Sequence, residues 1–157
     1  MPLQGRVKFI VADPTSVDAE RCLESYYAEL DERFESGFDR EATRQIAASE
    51  LRPPSGLLLL AYLDKEAVAC GALKFHDGRV GEVKRLWVAP KARGIGLGRR
   101  LLATLERSAK KSGVKVVHLD TNRALTEAIS LYKSSGYVEV EPFNDERYAH
   151  HWFEKRI

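Results

Sequence analysis

KARGIGLGRR, residues 91–100, decides how the rest of the chain is read. Gly94, Gly96 and Gly98 alternate with Ile95 and Leu97, and Arg93, Arg99 and Arg100 stand around them. Glycine removes the side chain where backbone must come close to another group. Upstream, VGEVKRLWVAP reads as a strand stopped by Pro90. Downstream, Leu97, Leu101, Leu102, Leu105 and Ala109 fall on one face of a helix that Ser112-Gly113 ends. The glycines therefore lie between a strand end and a helix start. Free N–H groups and the helix dipole favour an anion there, and the arginines add full charges. A pyrophosphate suits that construction.

Two familiar phosphate loops do not match. A P-loop needs GxxxxGK followed by Ser or Thr, and no such run occurs. A dinucleotide fingerprint needs GxGxxG, and counting from Gly94 its last position is Arg99. The pattern present is Arg93-x-x-Gly96-x-Gly98. A plain tight turn would not call for three alternating glycines.

Working outward, GLLLLAYL and AVACGALKFH read as a hairpin joined at Asp-Lys-Glu, and VGEVKRLWVAP extends it into an antiparallel meander. VKVVHLDT is a strand that a right-handed crossover through the Leu97 helix would set parallel to VGEVKRLWVAP. Thr126 is the expected cap of a helix containing Ile129, Leu131 and Tyr132, which Gly136 ends. YVEVEPF and the tail HHWFEKRI are the remaining strands on this side. Toward the start, Arg6–Ala12 is a first strand and Asp13-Pro-Thr-Ser opens a helix through SVDAERCLESYYAELDERF. A second helix is expected over about Arg40 to Glu50, before Pro53-Pro54.

The 157 residues suit a single domain over 1–157, with 44% apolar and 31% charged residues. No apolar run reaches membrane-spanning length and the N-terminus lacks a signal-like core, so a cytoplasmic protein is expected. Cys22 and Cys70 match no metal spacing, so no metal is expected. Net charge is only +2, but it is split. Lys84 to Lys115 holds ten basic residues and one acidic; Asp13 to Glu50 holds eleven acidic and four basic. An anionic ligand on one side and a cationic one on the other would suit that division. Nucleic acid is a poorer partner for the basic segment, which has few interleaved aromatics.

VGEVKRLWVAP, RGIGLG, RRLLATLERSAKKSG, VVHLDT and EAISLYKSSGYVEV also come in the order and spacing of the GNAT superfamily of acyl-CoA-dependent N-acyltransferases, which the chain resembles over about Leu57 to Val140. The resemblance implies an α/β fold with a GNAT-like central mixed sheet of six or seven strands, flanked by about four helices. It implies an N-acetyltransferase that moves an acetyl group from acetyl-CoA, a co-substrate, to a primary amine of a small molecule. A protein or peptide amine, or a non-catalytic acyl-CoA-binding module of the same fold, are the alternatives. Backbone N–H groups from Arg93 through Gly94, Ile95, Gly96, Leu97 and Gly98 to Arg99 would hold the CoA pyrophosphate. Leu86, Trp87 and Val88 would pair with the pantetheine arm and offer a hydrogen bond to the thioester carbonyl. Asn122 would make a polar contact to the cofactor, although Leu125 stands near the place where the family often has its asparagine.

Transfer needs a neutral amine and a protonated leaving thiolate. The resemblance makes Tyr132, in LYKSSGY, the candidate acid, with an ordinary phenol pKa of about 10; packing on the amphipathic helix is the competing reading. Glu82, early in its strand, is the candidate base; a carboxylate beside apolar neighbours would have a raised pKa. An ion pair with Lys84 or Arg85, or an ordered water as base, is the competing reading. His150 and His151 are weaker base candidates. Strand alternation sets Glu82, Lys84, Leu86 and Val88 on one face and Val83, Arg85 and Trp87 on the other. The acceptor would meet Glu35, Asp39 and Glu41 and the rings of Tyr26, Tyr27, Phe34 and Phe38. No nucleic acid or membrane partner is expected, and a homodimer through YAHHWFEKRI is possible.

Overall fold

The computed structural model describes residues 6–42 and 46–157. Seven strands form one mixed sheet: β1 (Val7–Ala12), β2 (Gly56–Leu63), β3 (Glu66–His76), β4 (Val80–Val88), β5 (Val116–Thr121), β6 (Val138–Val140) and β7 (His151–Arg156). Their spatial order is β1-β2-β3-β4-β5-β7-β6. Among the described residues there are three α-helices, α1 (Val17–Arg33), α2 (Leu97–Lys111) and α3 (Thr126–Ser134), rather than about four.

The run GLLLLAYL is apolar throughout because both its faces are covered. Leu57 and Leu59 join the cluster under α2, with Leu101, Leu102, Leu105 and Ala109 of the helix itself. Leu58 and Leu60 join the cluster under α1, with Ala19, Cys22, Cys70 and Ala72. Each buried leucine adds about 1.5–3 kcal/mol relative to exposure, so these two layers fix the helices on the sheet. Ser16 caps α1 by accepting from the Ala19 N–H at 3.3 Å.

Two expectations are corrected. No continuous helix spans 40–50: Arg40–Ala42 and Ala48–Leu51 are separate 3-10 turns, Ala47 is extended, and residues 43–45 lie outside the described residues. Only Leu51 is buried in those turns, so a longer helix there would have had little apolar face to cover. Thr126 does not cap α3; Leu125 occupies that position without a side-chain bond. The turn is held instead by Asn122, whose Oδ1 accepts from the Ala124 N–H at 2.8 Å. The tail strand β7 is internal, paired with β5 on one side and β6 on the other, so both its edges are already used.

β2, β3 and β4 form the expected antiparallel meander, and β4 runs parallel to β5. That parallel pairing covers only Val80–Glu82 against Val116–His118. Beyond it the two strands part, and the site lies in the opening.

Candidate active site

A β-bulge shapes one wall of the opening. Cys70 and Ala72, two apart on β3, face Trp87 and Lys84, three apart on β4. The extra residue is accommodated where Arg85 adopts φ 56°. The faces therefore change parity, correcting the simple alternation. Lys84 and Trp87 lie opposite residues of the α1-side cluster, while Leu86 reaches the α2 side, close to the Leu101 and Leu105 side chains around Gly71.

Two cavities occupy the opening. The larger, about 610 Å³, runs past the end of β4 and the glycine loop. Leu86, Trp87 and Val88 line it from the strand. Arg93, Gly94, Gly96, Leu97, Gly98 and Arg99 line it from the loop and the mouth of α2. Ile95 packs against the core instead. Gly94 and Gly96 have φ of 86° and 77°, which L-residues adopt only with strain, and a Cβ on either would point into open space. Gly98 lies nearer other side chains: its Cβ would meet Leu131 Cδ2 at 3.4 Å, about van der Waals contact. The Arg100 N–H makes the first helical bond, to Gly96 O at 3.2 Å. The N–H groups of Leu97, Gly98 and Arg99 therefore open α2 without a helical acceptor. A bare loop, a helix mouth and a mostly apolar channel fit the pyrophosphate and pantetheine of a CoA thioester.

The arginines around the loop already have protein partners. The Arg93 guanidinium donates to Glu29 Oε1 at 2.6 Å and, through Nε, to Val88 O at 2.9 Å. Glu29 also accepts from Trp87 Nε1 at 3.1 Å and Arg33 Nη1 at 3.2 Å. Burial pushes the Glu29 carboxyl up, but these three donors outweigh it and hold it below the usual range. Arg33 reaches on to Glu127 at 2.8 Å, tying α1 to α3. Arg99 donates to Ser134 Oγ at 2.7 Å, and Arg100 lies over the Phe9 ring.

The smaller cavity, about 280 Å³, lies deeper in the fork. Tyr27, Phe34, Phe38 and Tyr148 form an aromatic wall, with Tyr27 and Phe38 stacked at 5.7 Å and Phe38 and Tyr148 tilted to each other at 5.0 Å. Lys84, Arg85, Asp120 and Glu146 supply its charges, together with Arg40. Both cavities are lined by Tyr26, Leu30, Leu86, Leu125 and Ala128, so they share a wall.

Tyr132 lines the smaller cavity, its ring packed between Tyr137 and Phe153. Among the described residues no fully buried side-chain oxygen lacks a partner, and the Tyr132 hydroxyl has none in the protein, so it reaches the cavity. Burial, with Asp120 nearby, raises its pKa well above the ordinary phenol value. Tyr132 is thus a protonated donor at any working pH. Tyr26 is raised in the same way, by burial and then by Tyr132.

Glu82 is not on a cavity wall. It is buried, bonded to His76 Nε2 at 2.8 Å and Lys84 Nζ at 3.3 Å. Burial alone would raise its pKa, but Lys84 and His76 prevail and lower it, the reverse of the expected shift. Asp120, which the sequence reading passed over, has the property sought. It lines the cavity and accepts from Asn144 Nδ2 at 2.9 Å. Its pKa is raised by burial, with Glu82 and Glu146 adding to the effect and Lys84 and Asn144 opposing it. The available signal was an acid inside the apolar strand VVHLDT.

Asn122 lies in the smaller cavity, not the larger, and its amide already donates to Tyr148 O at 2.7 Å. His150 accepts from the Arg123 N–H, His151 pairs with Glu139, and neither lines a cavity. Glu35, Asp39 and Glu41 also lie off both walls; Glu35 faces Arg123 at 3.8 Å. Tyr26, Tyr27, Phe34 and Phe38 all line the smaller cavity, as walls of the kind expected.

A sequence model of the acetyltransferase (GNAT) family matches residues 23–137. An IAA acetyltransferase of Azospirillum brasilense is 34% identical over 116 residues, covering 73% of this chain and 76% of its own. An aminoalkylphosphonate N-acetyltransferase of Salmonella typhimurium is 31% identical over 121 residues, covering 74% and 79%. The crystal structure of a PaiA N-acetyltransferase from Thermoplasma acidophilum, in complex with coenzyme A, superposes with a TM-score of 0.74 at 16% identity, over 96% of this chain and 99% of that one.

Proposed function

Because the chain belongs to the acetyltransferase (GNAT) family and is an acyl-CoA-dependent N-acyltransferase, we propose that it moves an acetyl group from acetyl-CoA to a primary amine of a small molecule by direct transfer. The observation that carries this reading is the wall shared by the two cavities. A donor in the larger cavity would meet an acceptor in the smaller one without an enzyme-bound intermediate. Neither cysteine lines either cavity, and burial pushes both thiols up, away from nucleophilic thiolate. The volume of about 280 Å³ suits a small acceptor.

Acetyl-CoA supplies the activated acyl group and a thiolate leaving group. The chain's own groups do the rest. The N–H groups at the mouth of α2, with the helix dipole behind them, bind the pyrophosphate. The unpaired edge of β4 beyond Glu82 receives the pantetheine amides, and a strand N–H beside the bulge donates to the carbonyl oxygen as charge grows there. Asp120 accepts a proton from the amine; its raised pKa brings it closer to the basicity a base needs. Lys84 orients the carboxylates Glu82 and Glu146 around it. Tyr132 donates a hydrogen bond to the departing sulfur. With its phenol pKa raised, it stabilises the thiolate more by that bond than by full proton transfer. The two free cysteines suit a reducing cytoplasm.

The test is thiol release from acetyl-CoA in the presence of a panel of primary amines, beside calorimetric titration of acetyl-CoA alone. Micromolar binding with amine-dependent release supports the reading. Absence of acetyl-CoA binding to folded protein overturns it.

A further inference from the structure

Arg85 is the cavity charge that sits on the β-bulge itself. Regular alternation after Lys84 would send residue 85 toward α2. The bulge, with φ 56° at Arg85, turns it into the smaller cavity on the α1 side, where its guanidinium lies over the Tyr27 ring at 5.8 Å. A positive φ at a long side chain is strained, and strain of this kind is held where a function needs it.

The side chain so placed has no acidic partner among the described residues. The other cavity cations do. Arg40 pairs with Glu24 at 2.7 Å, and Lys84 with Glu82 and Glu146. Asp120 is held by Asn144 and lies in the field of Lys84. Arg85 donates to no protein acceptor, and no fully buried side-chain nitrogen among the described residues lacks one, so its N–H fork reaches the cavity. A guanidinium cannot shed its charge, and its planar donors match a carboxylate or a phosphonate.

We propose that Arg85 binds an anionic group on the acceptor, so that the substrate is a small amino acid or aminophosphonate whose amine faces Asp120 while its carboxylate or phosphonate faces Arg85. This rests on the small-amine transferase reading above and adds the second charge that the acceptor must carry. The acidic N-terminal segment, which the sequence suggested would draw a simple cation, does not line the cavity with its carboxylates.

The experiment uses matched amines: 2-aminoethylphosphonate and β-alanine against propylamine and β-alaninamide. With wild-type protein, the acids are expected to exceed their neutral counterparts by roughly tenfold or more in kcat/KM for thiol release, the size of a charge-assisted hydrogen bond. Arg85→Gln should remove that preference by lowering kcat/KM for the acids far more than for the neutral amines, and Arg85→Lys should restore part of it. The ratio between phosphonate and carboxylate tells which group fits the fork better. Equal turnover of acidic and neutral amines overturns the proposal and leaves the transferase intact. If no amine supports thiol release, calorimetric titration of the same four compounds into CoA-saturated protein decides. Acid-selective binding that Arg85→Gln abolishes upholds Arg85 although transfer fails; binding that ignores the acid, or none, overturns it.

Discussion

The Glu29 carboxylate accepts from the Arg93 guanidinium at 2.6 Å, which ties α1 to the loop that carries the glycines. The same carboxylate holds the Trp87 indole, so one residue fixes the loop and the end of β4 together. Arg93 is thereby committed to shaping the cavity, and the proposed anion would be left chiefly to backbone N–H groups. Glu29→Gln should weaken acetyl-CoA binding in calorimetry and cost about 1 kcal/mol of stability, since Glu29 is mostly buried but Arg93 is half exposed. The Glu29 pKa is lowered by folding, so its contribution is present above the ordinary carboxyl value of about 4.3 and is lost as pH falls through the lower folded value. Chemical denaturation between pH 3 and 6 should show an acid loss that the variant reduces.

Gly96 separates strain from obstruction. Its φ is 77° with open space beside it, so Gly96→Ala meets no clash but should cost about 1 kcal/mol through the backbone. Gly96→Glu adds a charged chain where the pyrophosphate is proposed to sit. Titration should show acetyl-CoA binding weakened by the first and abolished by the second. Equal affinity for both would refute the loop as the anion site.

Asp120 and Glu82 compete for the role of base, and their environments set them apart. Asp120→Asn should lower kcat by about 10²-fold or more, within the usual range for a general base. Since a base must be ionised, wild-type kcat should fall as pH drops through the raised Asp120 pKa, and the variant should lose that acidic limb. Glu82→Gln should change kcat less, because Glu82 is off the cavity and its pKa is shifted the other way, lowered by Lys84 and His76 against its burial. A pH profile unchanged by Asp120→Asn would return the role to Glu82 or to water.

Tyr132 lines the smaller cavity and Tyr26 lines both, and the pKa of each is raised by burial. Tyr132→Phe should reduce kcat by about tenfold or more while leaving acetyl-CoA affinity intact, the size of one hydrogen bond to a developing charge. Tyr26→Phe, at the wall between the cavities, should have the smaller effect on kcat. The reverse ranking in steady-state assays would exchange their roles.

What the sequence by itself determined were features set by short-range physics. The glycine loop could be read because positive φ and a missing Cβ are properties of single residues, and Gly94 and Gly96 have both. The five positions assigned to the buried face of α2 are its buried residues, because a helix repeats its face every few residues whatever it packs on. The apolar run GLLLLAYL announced a strand covered on both sides. Tertiary structure decided the rest of the site. The bulge at Arg85 depends on how β4 meets β3, and it reverses every side-chain direction that alternation assigned beyond it. Asp120 becomes a cavity carboxylate only because β4 and β5 part after Glu82 and His118, a separation that no local pattern encodes. Glu29 and Arg93 are 64 residues apart in sequence. The Glu82 pKa is lowered because Lys84 and His76 outweigh its burial, whereas burial prevails at Asp120. Charge pairing and desolvation act through space, so these assignments had to wait for the folded chain.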